Sequence, residues 1–299
     1  RANLKGRKGI FKDLESSHLN NYEVESLIPD NIYKENIDRI LELIKEGQIY
    51  QANLTRPFLI KASKEINSQA LSNNLRSLNP APYASYYSFG QSQAICSASP
   101  ECFLLKKGTK VSTFPIKGTR KVSANFEENQ IMKNALLSSK KERAEHLMVV
   151  DLERNDLGKF AIPGSVRVSE FAKIQSYEYV HHLVSEVSCQ ISSSKDIFDV
   201  IKATFPSGSV TGAPKIKAMQ VINNLEKHSR GPYTGCFGFI DSKGDGVFSI
   251  LIRSLFVSGK EAICNVGGGI VYDSDPDFEN EETYLKAKGL LDLFEKYEG

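Results

Sequence analysis

The sequence of 299 residues lacks the features that mark several classes of protein. Its five cysteines are scattered, odd in number and form no CxxC pair, which argues against a zinc site or a disulfide framework and for buried thiols in a reducing cytosol. No apolar run approaches the ~20 residues needed to cross a bilayer. With 38 basic and 36 acidic residues, the net charge of +2 offers no surface for nucleic acid or an anionic membrane. We therefore expect a cytoplasmic protein with neither kind of partner.

The composition that is present is that of a folded chain, with 40% hydrophobic and 25% charged residues. Apolar spacing predicts three principal helices, over residues 32–44 (with Gly47 as the stop), 127–152 and 277–296. Glycine-containing turns separate predicted strands at 236–240, 247–257 and 261–266. Because these strands follow one another as hairpins and not as βαβ units, the sequence favours an α+β fold.

Two pairs of glutamates are spaced for a shared helix face. Glu142 and Glu145 lie three residues apart on one predicted helix, and Glu279 and Glu282 do so on another. Four converging carboxylates would repel one another unless a cation neutralised them, and Mg²⁺ prefers oxygen ligands. Solvent-exposed helix faces are also rich in glutamate, so the spacing alone leaves both interpretations open.

Three further features suggest chemistry without fixing it. Lys117, between Ile116 and Gly118, would be a nucleophile if it were held out of water with a lowered pKa, and is otherwise a surface lysine in a turn. Arg253 interrupts an apolar predicted strand, where a buried guanidinium needs a substrate carboxylate or a structural glutamate as its partner. The run Gly267–Gly269 permits either close approach to a ligand or a bend in the chain.

Nine short motifs follow one another over residues 31–296. They are Gly47–Leu54, Ser99–Glu101, Pro115–Thr119, Glu145–Asp156, Val180–Ser185, Ser209–Lys215, Arg230–Gly235, Gly267–Gly269 and Glu279–Lys286. In residues and order they resemble the chorismate-utilising enzymes, a family that includes anthranilate, aminodeoxychorismate, isochorismate and salicylate synthases. The resemblance implies one α+β catalytic domain over residues 31–299, with two large antiparallel sheets, outer helices and a central cleft. Residues 1–30 would be a lead-in, the remnant of a longer N-terminal segment.

The resemblance also assigns roles to individual residues. Glu145 and Glu282 would bind Mg²⁺, which holds the ring carboxylate of chorismate, with Glu142 and Glu279 as nearby or water-mediated ligands. Glu101 would be the general acid toward the departing 4-hydroxyl group, and His182 matches the active-site histidine. The remaining substrate-binding positions are Gln51, Gly118, Thr119, Ser209, Tyr233, Arg253, Gly267, Gly268, Gly269 and Lys286.

Two positions distinguish the branches of the family. Isochorismate and salicylate synthases have a lysine, which activates water, where this chain has Gln51, so the chain resembles the members that use ammonia. Anthranilate synthases have alanine where this chain has Lys117, and lysine there resembles component I of the aminodeoxychorismate synthases. The alternatives are an anthranilate synthase component I and a non-catalytic chorismate-binding or scaffolding subunit. Since no cysteine lies in a nucleophile elbow, we expect a separate glutamine amidotransferase subunit to deliver the ammonia.

Overall fold

Two antiparallel sheets of seven strands each form the framework of the computed structural model, which describes residues 22–177 and 180–295. In chain order the strands are β1 (Tyr22–Ser26), β2 (Gln51–Ala62), β3 (Tyr83–Gly90), β4 (Gln93–Ser99), β5 (Cys102–Lys107), β6 (Lys110–Thr113), β7 (Ile116–Lys121), β8 (Arg167–Ser176), β9 (Val180–Gln190), β10 (Gly212–Ala213), β11 (Cys236–Ile240), β12 (Gly246–Ile250), β13 (Ser254–Ser258) and β14 (Glu261–Ile270). The first sheet has the order β1-β2-β14-β13-β4-β3, with β10 beside β2. The second has the order β11-β12-β5-β6-β9-β7, with β8 beside β9.

Seven helices in the described part of the chain cover these sheets. They are α1 (Asp30–Lys45), α2 (Ser68–Leu78), α3 (Phe126–Ser138), α4 (Lys140–Gly158), α5 (Ile197–Thr204), α6 (Lys215–Leu225) and α7 (Pro276–Glu295), with a 3₁₀ turn at Gly208–Val210. Leu71 of α2 and Leu290 of α7 belong to the core of the first sheet, and Val150 of α4 and Val200 of α5 to that of the second. Burying each such side chain contributes about 2 kcal/mol. The predicted α+β class with two antiparallel sheets is confirmed, and no described helix is long and apolar enough to span a membrane.

The ends of the predicted elements differ from the structure in particular ways. Helix α1 ends where predicted, because Gly47 adopts a φ of 71° that favours glycine. Part of the lead-in, Tyr22–Ser26, is the strand β1 and pairs with β2. Residues 1–21 of the lead-in and the end of the closing helix at Lys296 lie outside the described residues.

The prediction of one helix over residues 127–152 was wrong, because the chain breaks at Ser139. The backbone N–H of Ser139 bonds to Ala135 O and ends α3, while its side chain accepts from Glu142 N at 3.3 Å and begins α4. A serine at this position satisfies the free N–H groups of a new helix better than it continues the old one. The break places Glu142 in the first turn of α4.

The prediction of one strand over residues 247–257 was also wrong. Strands β12 and β13 belong to different sheets, and the chain passes between them at Leu251–Arg253. Arg253 has a φ of 50°, which no strand accommodates, and its side chain is exposed and not buried within a strand as expected. A second crossover, Pro100–Glu101, links β4 of the first sheet to β5 of the second. Two of the predicted site residues therefore lie where the chain changes sheets.

Candidate active site

A cleft of about 990 Å³ opens between elements of both sheets. Strand β14 and strand β7 contribute to its lining from the two sheets, and helices α4 and α7 contribute carboxylates. Of the predicted site residues, the cleft is lined by Glu101, Lys117, Gly118, Thr119, Glu142, Glu145, His182, Ser209, Tyr233, Arg253, Gly267, Gly269, Glu279, Glu282 and Lys286. Gln51 and Gly268 lie next to residues of this lining, Gln51 beside Gly269 and Gly268 beside Glu279. The tertiary structure thus brings together residues that are up to 235 positions apart in the sequence, from Gln51 to Lys286.

Glu101 is held at the crossover between β4 and β5. Its backbone oxygen accepts from Ile250 N at 3.1 Å, and Ser99 Oγ donates to Ile250 O at 2.6 Å, so the two crossovers are fastened to each other. The Glu101 side chain is 6% exposed. Burial raises the pKa of its carboxyl to about 7, although a hydrogen bond with Ser209 favours the ionised form. A carboxyl with this pKa retains a proton near neutral pH, as a general acid requires.

Lys117 extends from β7 beside a β-bulge. The register shifts between Lys117 and Thr119, and Gly118 between them has a φ of 71°. This φ disfavours any other residue, and a β-carbon on Gly118 would also lie 2.7 Å from Leu136 Cδ1. Among the described residues the Lys117 amine makes no hydrogen bond or ion pair, and burial lowers its pKa against the opposing effect of Glu145 and Glu101. The neutral, nucleophilic amine is therefore more accessible than in an ordinary lysine.

The three glycines of β14 let neighbouring side chains lie close to the backbone, and the chain does not bend there. Gly267–Gly269 continue the ladder with β2. A β-carbon on Gly269 would lie 2.8 Å from Gln51 Nε2 and 3.6 Å from Lys117 Nζ, and one on Gly268 would lie 2.9 Å from Glu279 Oε2. Side chains at these positions would fill the space that the amide, amine and carboxylate groups occupy.

The four predicted metal-binding carboxylates line the same cleft, and three of them are engaged with other partners, Glu279 by accepting from Ser274 Oγ at 2.7 Å. Arg120 Nη1 lies 2.7 Å from Glu142 Oε1, and Lys286 Nζ lies 3.0 Å from Glu282 Oε1. In residues 22–177 and 180–295, no three histidine, cysteine, aspartate or glutamate side chains are arranged to hold a metal ion.

The carboxylates nevertheless suit a hard cation chemically. Burial raises the pKa of Glu145 and of Glu279, and neighbouring carboxylates, Glu282 among them, raise both further. Mutual repulsion of this kind is relieved when a divalent cation binds, and Mg²⁺ accepts an oxygen-only ligand set. The residues present therefore fit the ion that the sequence implies.

The two adjacent histidines have different surroundings. His182 Nδ1 lies 3.0 Å from Thr119 Oγ1, its buried Nε2 has no partner in the described part of the chain, and burial lowers its pKa to about 4. His181 is instead held by Ser176 and Asn129. His182 is thus a neutral ring at the cleft, and His181 has a structural role.

Several residues in or next to the site were missed by reasoning from the sequence. Glu153 is 2% exposed, and burial followed by the charge of Asp156 raises its pKa to about 7. It follows Glu145 by two helical repeats of four residues, a spacing that could have marked it. Arg120 and Asn53 line the cleft as well, and no sequence pattern distinguishes them.

The fold agrees with comparison to known proteins. The family profile described as "chorismate binding enzyme" matches residues 9–292, and the chain belongs to this family. It is 40% identical over 255 residues to aminodeoxychorismate synthase component 1 of Bacillus subtilis, covering 85% of this chain and 54% of that protein. It is 41% identical over 260 residues to anthranilate synthase component 1 of Saccharolobus solfataricus, covering 87% and 61%.

A solved structure extends the likeness to three dimensions. Anthranilate synthase component I from Streptococcus pneumoniae superposes with a TM-score of 0.84 at 35% identity, covering 92% of this chain and 61% of that one. The chain spans little more than half the length of the curated relatives it matches. Relatives with two different names are about equally similar, so identity alone does not separate the two activities.

Proposed function

We propose that the chain catalyses the amination of chorismate at C4, as component I of an aminodeoxychorismate synthase. The observation on which this rests is the Lys117 amine, which extends into the cleft toward the buried acid Glu101 and has its pKa lowered by burial. A buried amine facing a protonated carboxyl is suited to a displacement in which one attacks as the other protonates the leaving group.

The first step uses both side chains. Lys117 attacks C2 of chorismate, the two ring double bonds shift, and the 4-hydroxyl group leaves as water after accepting the proton of Glu101. Hydroxide is a poor leaving group, so this proton transfer supplies much of the acceleration. The product is a covalent adduct that joins the lysine nitrogen to C2.

The second step releases the lysine. Ammonia attacks C4, the double bonds shift back, and the C2–nitrogen bond breaks to return the neutral amine of Lys117. The new ammonium group at C4 gives a proton to the Glu101 carboxylate. Chorismate and ammonia thus yield 4-amino-4-deoxychorismate and water, and both side chains return to their starting states.

The substrate is held through its two carboxylates. Arg253 and Tyr233 face the cleft together with the backbone of β14 and bind the enolpyruvyl carboxylate. Lys286, whose Nζ donates to Gly267 O at 2.9 Å, adds a further positive charge to the cleft lining. Glu142, Glu145, Glu279 and Glu282 would hold Mg²⁺, and the bound ion would supply the positive charge that the ring carboxylate requires. A separate amidotransferase subunit delivers ammonia from glutamine.

The second candidate is an anthranilate synthase component I, favoured by the names of relatives at 35–42% identity. Incubation of the chain with chorismate, Mg²⁺ and ammonium separates the two possibilities by product. We expect 4-amino-4-deoxychorismate, which is not aromatic, identified by mass spectrometry and by the absence of anthranilate fluorescence. Anthranilate as the main product would overturn the assignment.

The metal site makes a separate prediction. Glu145→Gln removes one negative charge from the cleft, so the Mg²⁺ concentration at half-maximal activity should rise by about 10- to 100-fold. Activity should recover partly at high Mg²⁺, as measured by titration of the rate against Mg²⁺. Glu170→Gln, which changes an exposed glutamate on β8, is the matched control and should behave as the unmodified chain. Equal Mg²⁺ dependence of the two variants would remove Glu145 from the site.

A further inference from the structure

A line of buried polar groups leads from Glu101 to a second carboxyl group outside the cleft lining. The Ser209 hydroxyl bonds to the Glu101 carboxyl, Ser209 Oγ lies 3.1 Å from Ser207 Oγ, and Ser207 Oγ lies 3.1 Å from Glu153 Oε1. All four side chains are at most 6% exposed. The two carboxyls are therefore linked by hydroxyl groups that are largely buried.

Counting protons shows which ionisation state this line of groups favours. Three contacts join the four groups, and each contact needs one proton. The two serine hydroxyls provide one each, so the third proton must belong to a carboxylic acid. With both carboxyls ionised, one contact would lack its proton and two negative charges would be buried close together. The line is fully hydrogen-bonded when Glu101 and Glu153 share a single proton.

The charges around the pair do not replace that proton. Asp156, one helical turn from Glu153, adds a further negative charge. Lys215 opposes it, but its Nζ is bonded to Asp156 and donates to Pro206 O at 2.6 Å. On the cleft side Lys117 acts on Glu101, with its own pKa lowered by burial. The neighbouring cations thus have other partners or are easily neutralised.

The line of groups also packs closely against α4. Its two serines flank Gly208, and a β-carbon on Gly208 would lie 2.5 Å from Leu152 Cδ2 and 3.3 Å from Glu153 Oε1. The 3₁₀ turn therefore lies directly against the side chains of Leu152 and Glu153.

We propose that Glu153 is a positioning residue that acts through Ser207 and Ser209 to keep one proton on the Glu101–Glu153 pair. Glu101 then enters each turnover protonated and, once it has given that proton to the leaving hydroxyl, recovers it from the ammonium group formed at C4. The catalytic part of this inference rests on the proposed function. The shared proton itself does not, and it is present without substrate.

The first test therefore uses the protein without substrate. Infrared difference spectroscopy during a pH titration follows the carbonyl band of protonated carboxyl groups. In the unmodified chain the Glu101–Glu153 pair should contribute two separate deprotonation steps, because the two sites are coupled. Glu153→Gln should remove one of these two steps and leave the other at a lower pH than the second step of the unmodified chain. Asp151→Asn, at an exposed position on the same helix, should leave both steps. A titration that Glu153→Gln does not alter would overturn the proposal, whatever reaction the enzyme catalyses.

The second test is the pH profile of kcat/KM at constant free ammonia. In Glu153→Gln the fall of kcat/KM with rising pH should begin about one pH unit lower than in the unmodified chain. Above neutral pH this shift corresponds to about a tenfold lower kcat/KM, and the KM for chorismate should be unchanged. Ser207→Ala keeps both carboxyls but breaks the line, and should shift the profile in the same direction; it decides the question if Glu153→Gln does not fold. A uniform loss at every pH, with the profile in place, would show a merely structural role and overturn the proposal.

Discussion

Replacing Lys117 by methionine should lower the formation of 4-amino-4-deoxychorismate by on the order of 10³-fold or more, because in the proposed mechanism the lysine amine forms the first bond to C2. Methionine keeps the length of the side chain, so the loss reports the amine and not a cavity. Lys117→Arg keeps a positive charge but is not a nucleophile, and should be equally inactive. The covalent adduct is detected by mass spectrometry. The unmodified chain, quenched with chorismate and without ammonia, should show an adduct on Lys117, and the variants should show none.

The same variants also separate the two candidate functions. If the cleft still binds chorismate and ammonia, a further variant, Lys117→Ala, should redirect part of the amination toward C2, as the resemblance to anthranilate synthases implies. Lys107→Ala, which removes an exposed lysine of the second sheet, is the matched control and should keep full activity. An unlabelled Lys117, together with an active Lys117→Met variant, would rule out covalent catalysis by this residue.

Replacing Glu101 by glutamine should lower kcat by about 10²- to 10⁴-fold, the range typical of a positioned general acid. The amide preserves shape and hydrogen bonding to Ser209 but has no proton to give. Thermal unfolding should change little, since the carboxyl is already neutral below its raised pKa of about 7. Loss of activity without loss of stability would separate a catalytic role from a structural one.

The pH dependence of this acid has a definite sign. Burial raises the pKa of Glu101 to about 7, so the protonated, active form is complete below that pH and declines as the pH rises through it. At constant free ammonia, kcat/KM of the unmodified chain should therefore fall above neutral pH. Glu101→Gln should retain only a low activity without this fall. A pH profile shared by the two proteins would show that Glu101 is not the acid.

Local sequence patterns were enough for the parts of the site that lie on single helices. The spacing of Glu142 and Glu145, and of Glu279 and Glu282, predicted shared helix faces, since the positions of side chains on one helix follow from its 3.6-residue period. Gly47 marked the end of α1 for a similarly local reason. The motifs added the family and the antiparallel α+β fold, which the structure and the comparisons confirm.

Only the tertiary structure decided the features that depend on contacts between distant segments. Neither the break at Ser139 nor the crossover at Arg253 alters the hydrophobic pattern of the sequence. Periodicity therefore predicted one helix in place of α3 and α4, and one strand in place of β12 and β13. The ion pair of Arg120 with Glu142, and the line of groups from Glu101 through Ser207 and Ser209 to Glu153, join separate elements. A buried carboxyl acquires a raised pKa from the groups that surround it in space, and the sequence does not specify those neighbours until the two sheets have assembled.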